Sequence, residues 1–464
     1  MRKKINIYKL LVMIIMLVFP LALPAEAFQY DTVHNYVFSQ EKSDIRILLH
    51  GERLVTEIPF FIEGGRTLIP VRFFLETMGA DVSWHSSTKS VSVARGDTSI
   101  EMVAGEKKAL INGSPVTLEV PLRLIENRAY VPLRFIAESL GVDIGWNDAE
   151  RLILIEFESP EGAQQPPPYY QDLNVQVETY GISLGDSGQA VLDLLGEPAR
   201  RDDTIYGYCW WVYNQDYRNY LQVGIKDGSV VAIYTPGQGW AFGPLQRGCG
   251  LNLLEDSFEI ADRLFVEEEK VIYELYLPTL VYENLVATFY CDEQDKNKIV
   301  AVRLEDREVA EDRFNLYYKY RFPQGKRDSF DREKMRKAEA ADEKQIFDLA
   351  NMERLLRGLP ALSWNRDAAL AALEHSREMY IHNYFDHFSP VTGEGLDYRL
   401  DRRGVNFILA AENIARGQFD GVEVHHGLMN SLRHRENILH KDLRSLGVGV
   451  YGDCYTQNFV TLLE

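Results

Sequence analysis

Residues 428–440 read LMNSLRHRENILH and bring two histidines and two arginines together near the end of an acidic chain. The apolar spacing predicts a helix from about Gly421 to Asn437. Seven of the ten histidines follow residue 370. Any histidine chemistry is therefore expected in the last quarter of the chain.

Four further motifs surround this stretch: YFDHFSP (384–390), AENIARG (411–417), LGVGVY (446–451) and YTQNF (455–459). Helical patterns precede them, and the first ends at Gly358. Together these residues resemble the bacterial CAP (SCP-like) domain over residues 345–464. The resemblance implies an α-β-α sandwich with a cleft that holds two histidines and one or two glutamates.

Carried over by motif, the cleft residues are His387, Glu412 and His434, with Glu423 as the second glutamate. The metal ligands would be His387 and His434. Two imidazoles can hold a divalent cation such as zinc, and carboxylates can orient them or take a proton from bound water. Catalytic zinc usually has three protein ligands, so we expect any bound metal to be weak or exchangeable.

Two features of this region have simpler interpretations. Glu423 follows Asp420 by three residues, which fits a helix capping pair. It also lies 11 residues before His434, nearly on the same helix face, which fits a place in the cleft. His425, His426 and His440 are expected at the solvated surface.

Relatives commonly carry WMNSPGHR where this chain has LMNSLRHR, so the helix can continue where relatives turn.

The N-terminus predicts export. MRKK precedes an apolar run at 10–23, and AEA follows at 25–27, as in a signal peptide cleaved after Ala27. The run is too short to span a bilayer, and no second one follows, so we expect no transmembrane helix in the mature chain. A net charge of −19 argues against a nucleic-acid partner.

The first mature segment contains an internal repeat. RTLIPVRFFLETMGADVSWH (66–85) matches RAYVPLRFIAESLGVDIGWN (128–147) at an offset of 62. Each copy predicts a strand, a helix that ends at glycine, and two further strands. This pattern resembles the copper amine oxidase N-terminal-like stalk domain. His85 is the only histidine from Gly51 to Phe157, so we expect a spacer without a copper site.

The middle region begins with YGISLGDSGQAVLDLLGEP (180–198), a helix capped by Asp186 or Ser187 and followed by aromatic strands. It resembles the CAP-associated N-terminal domain. Of the four cysteines, Cys209, Cys249 and Cys291 lie here, so one disulfide bond is possible.

The whole chain is therefore predicted to be a multidomain α+β protein. It would combine a duplicated β-α-β-β stalk module, a mixed α/β middle domain and a C-terminal α-β-α sandwich of the CAP fold. The predicted segments are a signal peptide (1–27), the stalk domain (44–157), a proline-rich linker (158–178), the CAP-associated domain (179–306), a charged connector (307–344) and the CAP domain (345–464).

Three classes of function are compatible with this organisation of an exported or cell-surface protein. The CAP domain could bind a cell-envelope component, a peptide, a glycan or a lipid. Alternatively, His387, Glu412 and His434 could support metal-assisted hydrolysis, although no serine or cysteine nucleophile with a partner histidine is evident. The chain could also be a structural protein of the envelope or spore coat. The sequence leaves open whether it is an enzyme.

Overall fold

The computed structural model describes residues 46–49, 52–55, 60–71, 74–75, 78–85, 88–125, 128–147, 152–156, 176–266, 271–321 and 331–463. The predicted signal peptide and most of the predicted linker lie outside these residues. The described chain forms two compact units, one within residues 46–321 and the other within 331–463. Each unit is described by itself.

The first half of the first unit contains the repeat. Its elements are β1 (Arg46–Leu49), β2 (Glu52–Val55), β3 (Phe61–Glu63), β4 (Arg66–Pro70), β5 (Asp81–His85), β6 (Ser90–Arg95), β7 (Thr98–Val103), β8 (Lys108–Ile111), β9 (Ser114–Thr117), β10 (Arg123–Ile125), β11 (Arg128–Pro132), α1 (Leu133–Ser139), β12 (Asp143–Asn147) and β13 (Leu152–Glu156).

The two copies of the repeat fold alike. Strands β4 and β11 have bounds that differ by the predicted offset, as do β5 and β12, and Ile69 of β4 faces Val131 of β11 in an antiparallel pair. Val71, Phe74 and Leu75 are helical in the first copy, as is α1 in the second. The glycine that follows has a positive φ in both, +74° at Gly79 and +71° at Gly141. Only glycine adopts this conformation without steric cost. The predicted β-α-β-β modules are confirmed.

The second half of this unit is a mixed α/β region. Its elements are β14 (Val177–Thr179), α2 (Gly188–Leu195), β15 (Arg200–Asp203), β16 (Cys209–Tyr213), β17 (Leu221–Lys226), β18 (Ser229–Thr235), β19 (Trp240–Phe242), β20 (Leu245–Gln246), α3 (Leu251–Ser257), β21 (Ala261–Val266), β22 (Val271–Val281), β23 (Leu285–Asp292), β24 (Lys298–Asp306) and α4 (Arg307–Arg321).

One sheet runs through both halves of the first unit, because β2 pairs in parallel with β22 and the order continues through β23, β24, β18, β17, β16 and β15. The helix cap in the middle region is Ser187, whose side chain accepts a hydrogen bond from Ala190 N at 3.1 Å. All four cysteines are free thiols, so the possible disulfide bond is not formed.

The second unit has a four-stranded sheet with helices on both faces. Its elements are α5 (Arg332–Leu356), β25 (Ser363–Trp364), α6 (Arg366–His382), α7 (Leu396–Arg402), β26 (Phe407–Arg416), α8 (Gly421–Asn430), α9 (Leu432–Ile438), β27 (Ser445–Tyr451) and β28 (Cys454–Leu462). The order across the sheet is β25-β27-β28-β26.

Alternating residues of β26 separate two cores in this unit. Ala410 packs with α6 and α7, whereas Ala411 packs with α5, α8 and α9. Helix α6 lies very close to β27, because a Cβ added to Gly447 would lie 2.1 Å from Ala369 N. The glycines of LGVGVY therefore allow the helix to approach the sheet, and the predicted α-β-α sandwich is confirmed.

Two local expectations in this unit are wrong. The helix does not run unbroken from Gly421 to Asn437, because Ser431 adopts an extended conformation with φ −89° and ψ 121° between α8 and α9. His425 and His426 are buried rather than solvated, since α8 packs against α5. Helix α5 begins at Arg332, so part of the charged segment predicted at 307–344 is helical.

Candidate functional site

Glu412 is the centre of a buried polar cluster on the α6/α7 face of the sheet. It lies on β26 opposite Asn458 of β28, and its side chain is fully buried. A carboxylate in such a position must be satisfied by charged or hydrogen-bonding groups, because an isolated buried charge is very costly.

Arg399 of α7 supplies the opposing charge. Its Nη2 lies 2.9 Å from Oε1 and 2.7 Å from Oε2 of Glu412. Its Nη1 donates to the backbone carbonyls of His387 and Glu394, each at 3.1 Å. One guanidinium therefore neutralises Glu412 and also fixes the loop that carries His387. No sequence motif pointed to Arg399.

His387 lies in the loop after α6 and is 3% exposed. Its Nδ1 lies 2.9 Å from Glu412 Oε1. An ionised carboxylate only accepts hydrogen bonds, so Nδ1 carries the proton and donates. In a neutral ring, Nε2 is then the nitrogen that can accept a proton or bind a ligand. The structure thus brings together two of the predicted site residues.

The charge state of Glu412 follows from its neighbours. Burial alone would raise the pKa of this carboxyl, but the charge of Arg399, with smaller contributions from His375 and His387, lowers the pKa to about 2. Glu412 is therefore ionised at neutral pH. A carboxylate with so low a pKa is a poor proton acceptor at that pH, since general bases work best with a pKa near the working pH.

His375 of α6 also belongs to the cluster, although no sequence motif had placed it there. It is 1% exposed, and its Nε2 lies 3.9 Å from Glu412 Oε1. Neither ring nitrogen has a hydrogen-bond partner within the described residues. Burial lowers the pKa of His375 to about 4, so this ring is neutral at pH 7. His375 therefore packs in the cluster as a buried, neutral ring.

His434 is fully buried in α9 and is linked to the cluster through Asn413. Asn413 follows Glu412 in β26, so the two side chains leave opposite faces of the strand. Asn413 Nδ2 donates to the carbonyl of His434 at 3.1 Å. The ring Nδ1 of His434 lies 2.7 Å from Ser431 Oγ. His434 therefore borders the site through its backbone, and a cleft shared by both imidazoles stays a prediction.

Glu423 lies at the start of α8. Asp420 Oδ1 accepts from the backbone N–H groups of Val422 and Glu423 at 3.0 and 3.1 Å. Glu423 Oε2 accepts from Phe419 N at 3.4 Å. Asp420 is thus the N-cap, and Glu423 reaches back to the amide one residue before it, so the contacts resemble those of a capping pair, the alternative that the sequence had left open. Because the backbone breaks at Ser431, the helical spacing from Glu423 to His434 also no longer places them on one face.

The residues present do not fit a tightly held metal ion. Within residues 46–463, as far as they are described, no group of three or more His, Cys, Asp or Glu side chains is placed to hold one. Both oxygens of Glu412 already contact the Arg399 cation. His387 and His434 stay the candidate ligands for a weakly bound cation, and zinc binding stays a prediction.

Three parts of the chain match known families. Residues 48–155 match the copper amine oxidase N-terminal domain, residues 184–316 match the CAP-associated N-terminal domain, and residues 347–463 match the cysteine-rich secretory protein family. Across the helices of the described chain, none is both long and apolar enough to cross a bilayer.

Three proteins show how far the likeness extends. "Uncharacterized membrane protein YlbC" of Bacillus subtilis (strain 168) is 33% identical over 285 residues, which cover 60% of this chain and 82% of the relative. "Uncharacterized protein YkwD" of the same organism is 38% identical over 123 residues, 26% of this chain and 48% of the relative.

The third is a crystal structure of an extracellular protein containing an SCP domain from Bacillus anthracis str. Ames. It is 34% identical, superposes with a TM-score of 0.53, and covers 60% of this chain and 93% of its own. With three family matches in the predicted order, and one-third identity across most of a relative's length, the chain belongs to the cysteine-rich secretory protein (CAP) family.

Proposed function

We propose that this chain is an extracellular protein whose CAP domain binds a component of the cell envelope and does not catalyse hydrolysis. The extracellular SCP-domain relative from Bacillus anthracis supports the location, as does the export pattern in residues 1–27. The relative named as a membrane protein supports retention at the envelope. The duplicated N-terminal module would then act as the spacer that presents the CAP domain.

The contact between Arg399 and Glu412 carries this proposal. A hydrolase would use Glu412 to activate water or to hold a metal ion. Here the carboxylate is fully buried and both of its oxygens contact one guanidinium. Arg399 also holds the loop of His387. The cluster thus has the properties of a structural anchor that fixes the surface of the domain.

Retention and cleavage can be measured in one experiment. The full chain is mixed with isolated cell-envelope material and with a peptide mixture; retention is followed by sedimentation and cleavage by mass spectrometry. We expect retention on the envelope without new cleavage products. Cleavage that disappears in both His387→Ala and His434→Ala, but persists in the exposed control His382→Ala, would overturn the proposal. So would a failure of the chain to sediment with the envelope.

A further inference from the structure

One end of the second unit carries a group of exposed aliphatic side chains. They come from the start of β26, the start of α9 and the end of β28 with the residue after it. Each is between 44% and 63% exposed: Ile408, Leu432, Leu462 and Leu463. We call them the aliphatic patch. Single exposed leucines are ordinary, whereas several together mark a surface that contacts something apolar.

Backbone contacts bring three of these residues together. Phe407 of β26 faces Leu462 of β28 in the antiparallel register, and Leu463 N donates to Asn406 O at 3.0 Å. The register omits Ile408, which is therefore the extra residue of a β-bulge. Ile408, Leu462 and Leu463 thus lie on the neighbouring ends of two paired strands.

The fourth member reaches the same end from the helix layer. Leu432 lines a groove of about 690 Å³ between β26 and α9, together with Leu409, the residue that follows Ile408. Leu439 and Leu443 also line this groove. The aliphatic patch therefore extends from the end of the sheet to the first turn of α9.

The loop from α9 to β27 is held against the same strand end. Arg444 N donates to Val460 O at 3.3 Å, and Thr461 Oγ1 donates to the carbonyl of Asp442. Thr461 directly precedes Leu462 in β28. The loop therefore lies next to the aliphatic patch, and its charged side chains border that patch.

This part of the surface is positive although the chain as a whole is acidic. Residues 431–444 contain four cations and two carboxylates (Glu436 and Asp442), a net charge of +2 with histidine neutral, against −19 for the whole chain. Three of the cations are exposed: Arg433, Lys441 and Arg444. An anionic surface would repel most of this protein and attract this end, so charge and apolar exposure select the same face.

A lipid surface fits this arrangement better than a protein partner does. All four members of the patch are aliphatic, whereas the centres of protein interfaces are enriched in aromatic residues. Three of the four project from strand ends, which suits shallow insertion among headgroups. The neighbouring cations match the phosphates of anionic lipids.

We propose that the aliphatic patch docks the CAP domain onto an anionic lipid surface. Its four side chains enter the boundary between headgroups and acyl chains, and Arg433, Lys441 and Arg444 contact the lipid phosphates. The inference rests on the proposed envelope binding and names the component that is bound.

Vesicle sedimentation of the full chain tests the proposal. Binding is compared between vesicles of phosphatidylcholine alone and vesicles of phosphatidylcholine mixed with phosphatidylglycerol. We expect binding to the anionic vesicles to be at least about tenfold tighter, and to weaken as salt is added, because salt screens the charges. This comparison leaves the protein unchanged, so misfolding of a variant does not affect it. Absence of binding, or equal binding to both kinds of vesicle, would overturn the proposal.

Matched variants locate the apolar part of the surface. Leu462→Ser/Leu463→Ser removes half of the patch, whereas Ile381→Ser removes an aliphatic side chain that is 54% exposed on α6. We expect the double variant to weaken vesicle binding at least about tenfold, because two leucines no longer leave water, and Ile381→Ser to leave it unchanged. Equal losses in the two proteins would refute the patch.

A second pair of variants tests the cations. Lys441→Gln/Arg444→Gln removes two charges beside the patch, and Arg332→Gln/Lys334→Gln removes two exposed charges at the start of α5. We expect only the first to weaken binding to anionic vesicles. Equal effects of the two changes would contradict the proposed face.

Two further outcomes identify a different occupant. If Leu462→Ser/Leu463→Ser converts a dimer into a monomer without vesicles, as measured by sedimentation velocity, the patch joins two copies of the chain and the proposal is refuted. If the chain sediments with isolated envelope material but with neither kind of vesicle, envelope binding stands and the lipid proposal alone fails.

Discussion

Arg399 Nη2 contacts both carboxylate oxygens of Glu412, at 2.9 and 2.7 Å, and the two residues are 2% and 0% exposed. The contact joins α7 to the edge strand β26 on one face of the sheet. Arg399 also bonds to the carbonyls of His387 and Glu394. The Arg399 guanidinium therefore holds the loop that carries His387 and also pairs with the Glu412 carboxylate.

Removing Arg399 should destabilise the domain strongly. In Arg399→Gln, Glu412 would remain buried without its cation, a situation that typically costs about 3–5 kcal/mol. We expect a loss of that size in the free energy of unfolding, measured by urea denaturation. Arg402→Gln is the matched control on the same helix; its pairs with Glu374 and Glu394 are surface pairs, worth at most about 1 kcal/mol.

The double variant Arg399→Met/Glu412→Leu separates a charge effect from a packing effect. Replacing both members of a buried ion pair with apolar residues is often nearly neutral, so we expect it to recover most of the stability lost in Arg399→Gln. Equal losses in Arg399→Gln and Arg402→Gln would show that the buried pair has no special role.

Acid should destabilise the domain through His375. The pKa of this histidine is lowered from 6.5 to about 4 in the folded state. Below pH 6.5 the unfolded chain binds a proton that the folded chain does not, so stability falls as the pH drops from about 6.5 to about 4, by about 1.4 kcal/mol per pH unit. Urea denaturation across this range should show a shallower pH dependence for His375→Gln, and an unchanged one for the exposed control His382→Gln.

The ring of His434 should depend on Ser431. Ser431→Ala removes the partner 2.7 Å from His434 Nδ1 and leaves a buried nitrogen without it. We expect a loss of about 1 kcal/mol in the free energy of unfolding and a change in the nitrogen chemical shifts of this ring, read by NMR. Unchanged shifts would mean that another contact fixes the ring.

Zinc binding should be weak. Because Glu412 is held by Arg399, only His387 and His434 remain as candidate ligands, fewer than the three protein ligands typical of catalytic zinc. Calorimetric titration of the full chain at micromolar zinc should give no saturable heat. A saturable heat that is lost in both His387→Ala and His434→Ala would contradict this expectation.

The sequence predicted the elements whose pattern is local. The repeat places β4 and β11, and β5 and β12, at the predicted offset, because alternation and glycine positions specify each copy independently. The sandwich followed from several motifs in order. The partnership of His387 with Glu412 followed from family resemblance, and composition alone would not have identified it.

The features that the sequence did not predict depend on burial. The chain has arginines at 399, 402 and 403, and only packing against β26 selects Arg399 as the partner of Glu412. His425 and His426 have no apolar character, yet α8 carries them into the interior. The break at Ser431 had one local signal, since serine is a preferred N-cap residue, but a continuous apolar pattern ran across it.

The most direct test of the central claim is whether the full chain leaves envelope-derived peptides intact. Peptides released from cell-envelope material are incubated with the chain, and the bound and unbound fractions are sequenced by mass spectrometry. The account predicts that the peptides keep their length with the wild type and with Glu412→Gln alike. New fragments produced by the wild type and absent with Glu412→Gln would contradict it.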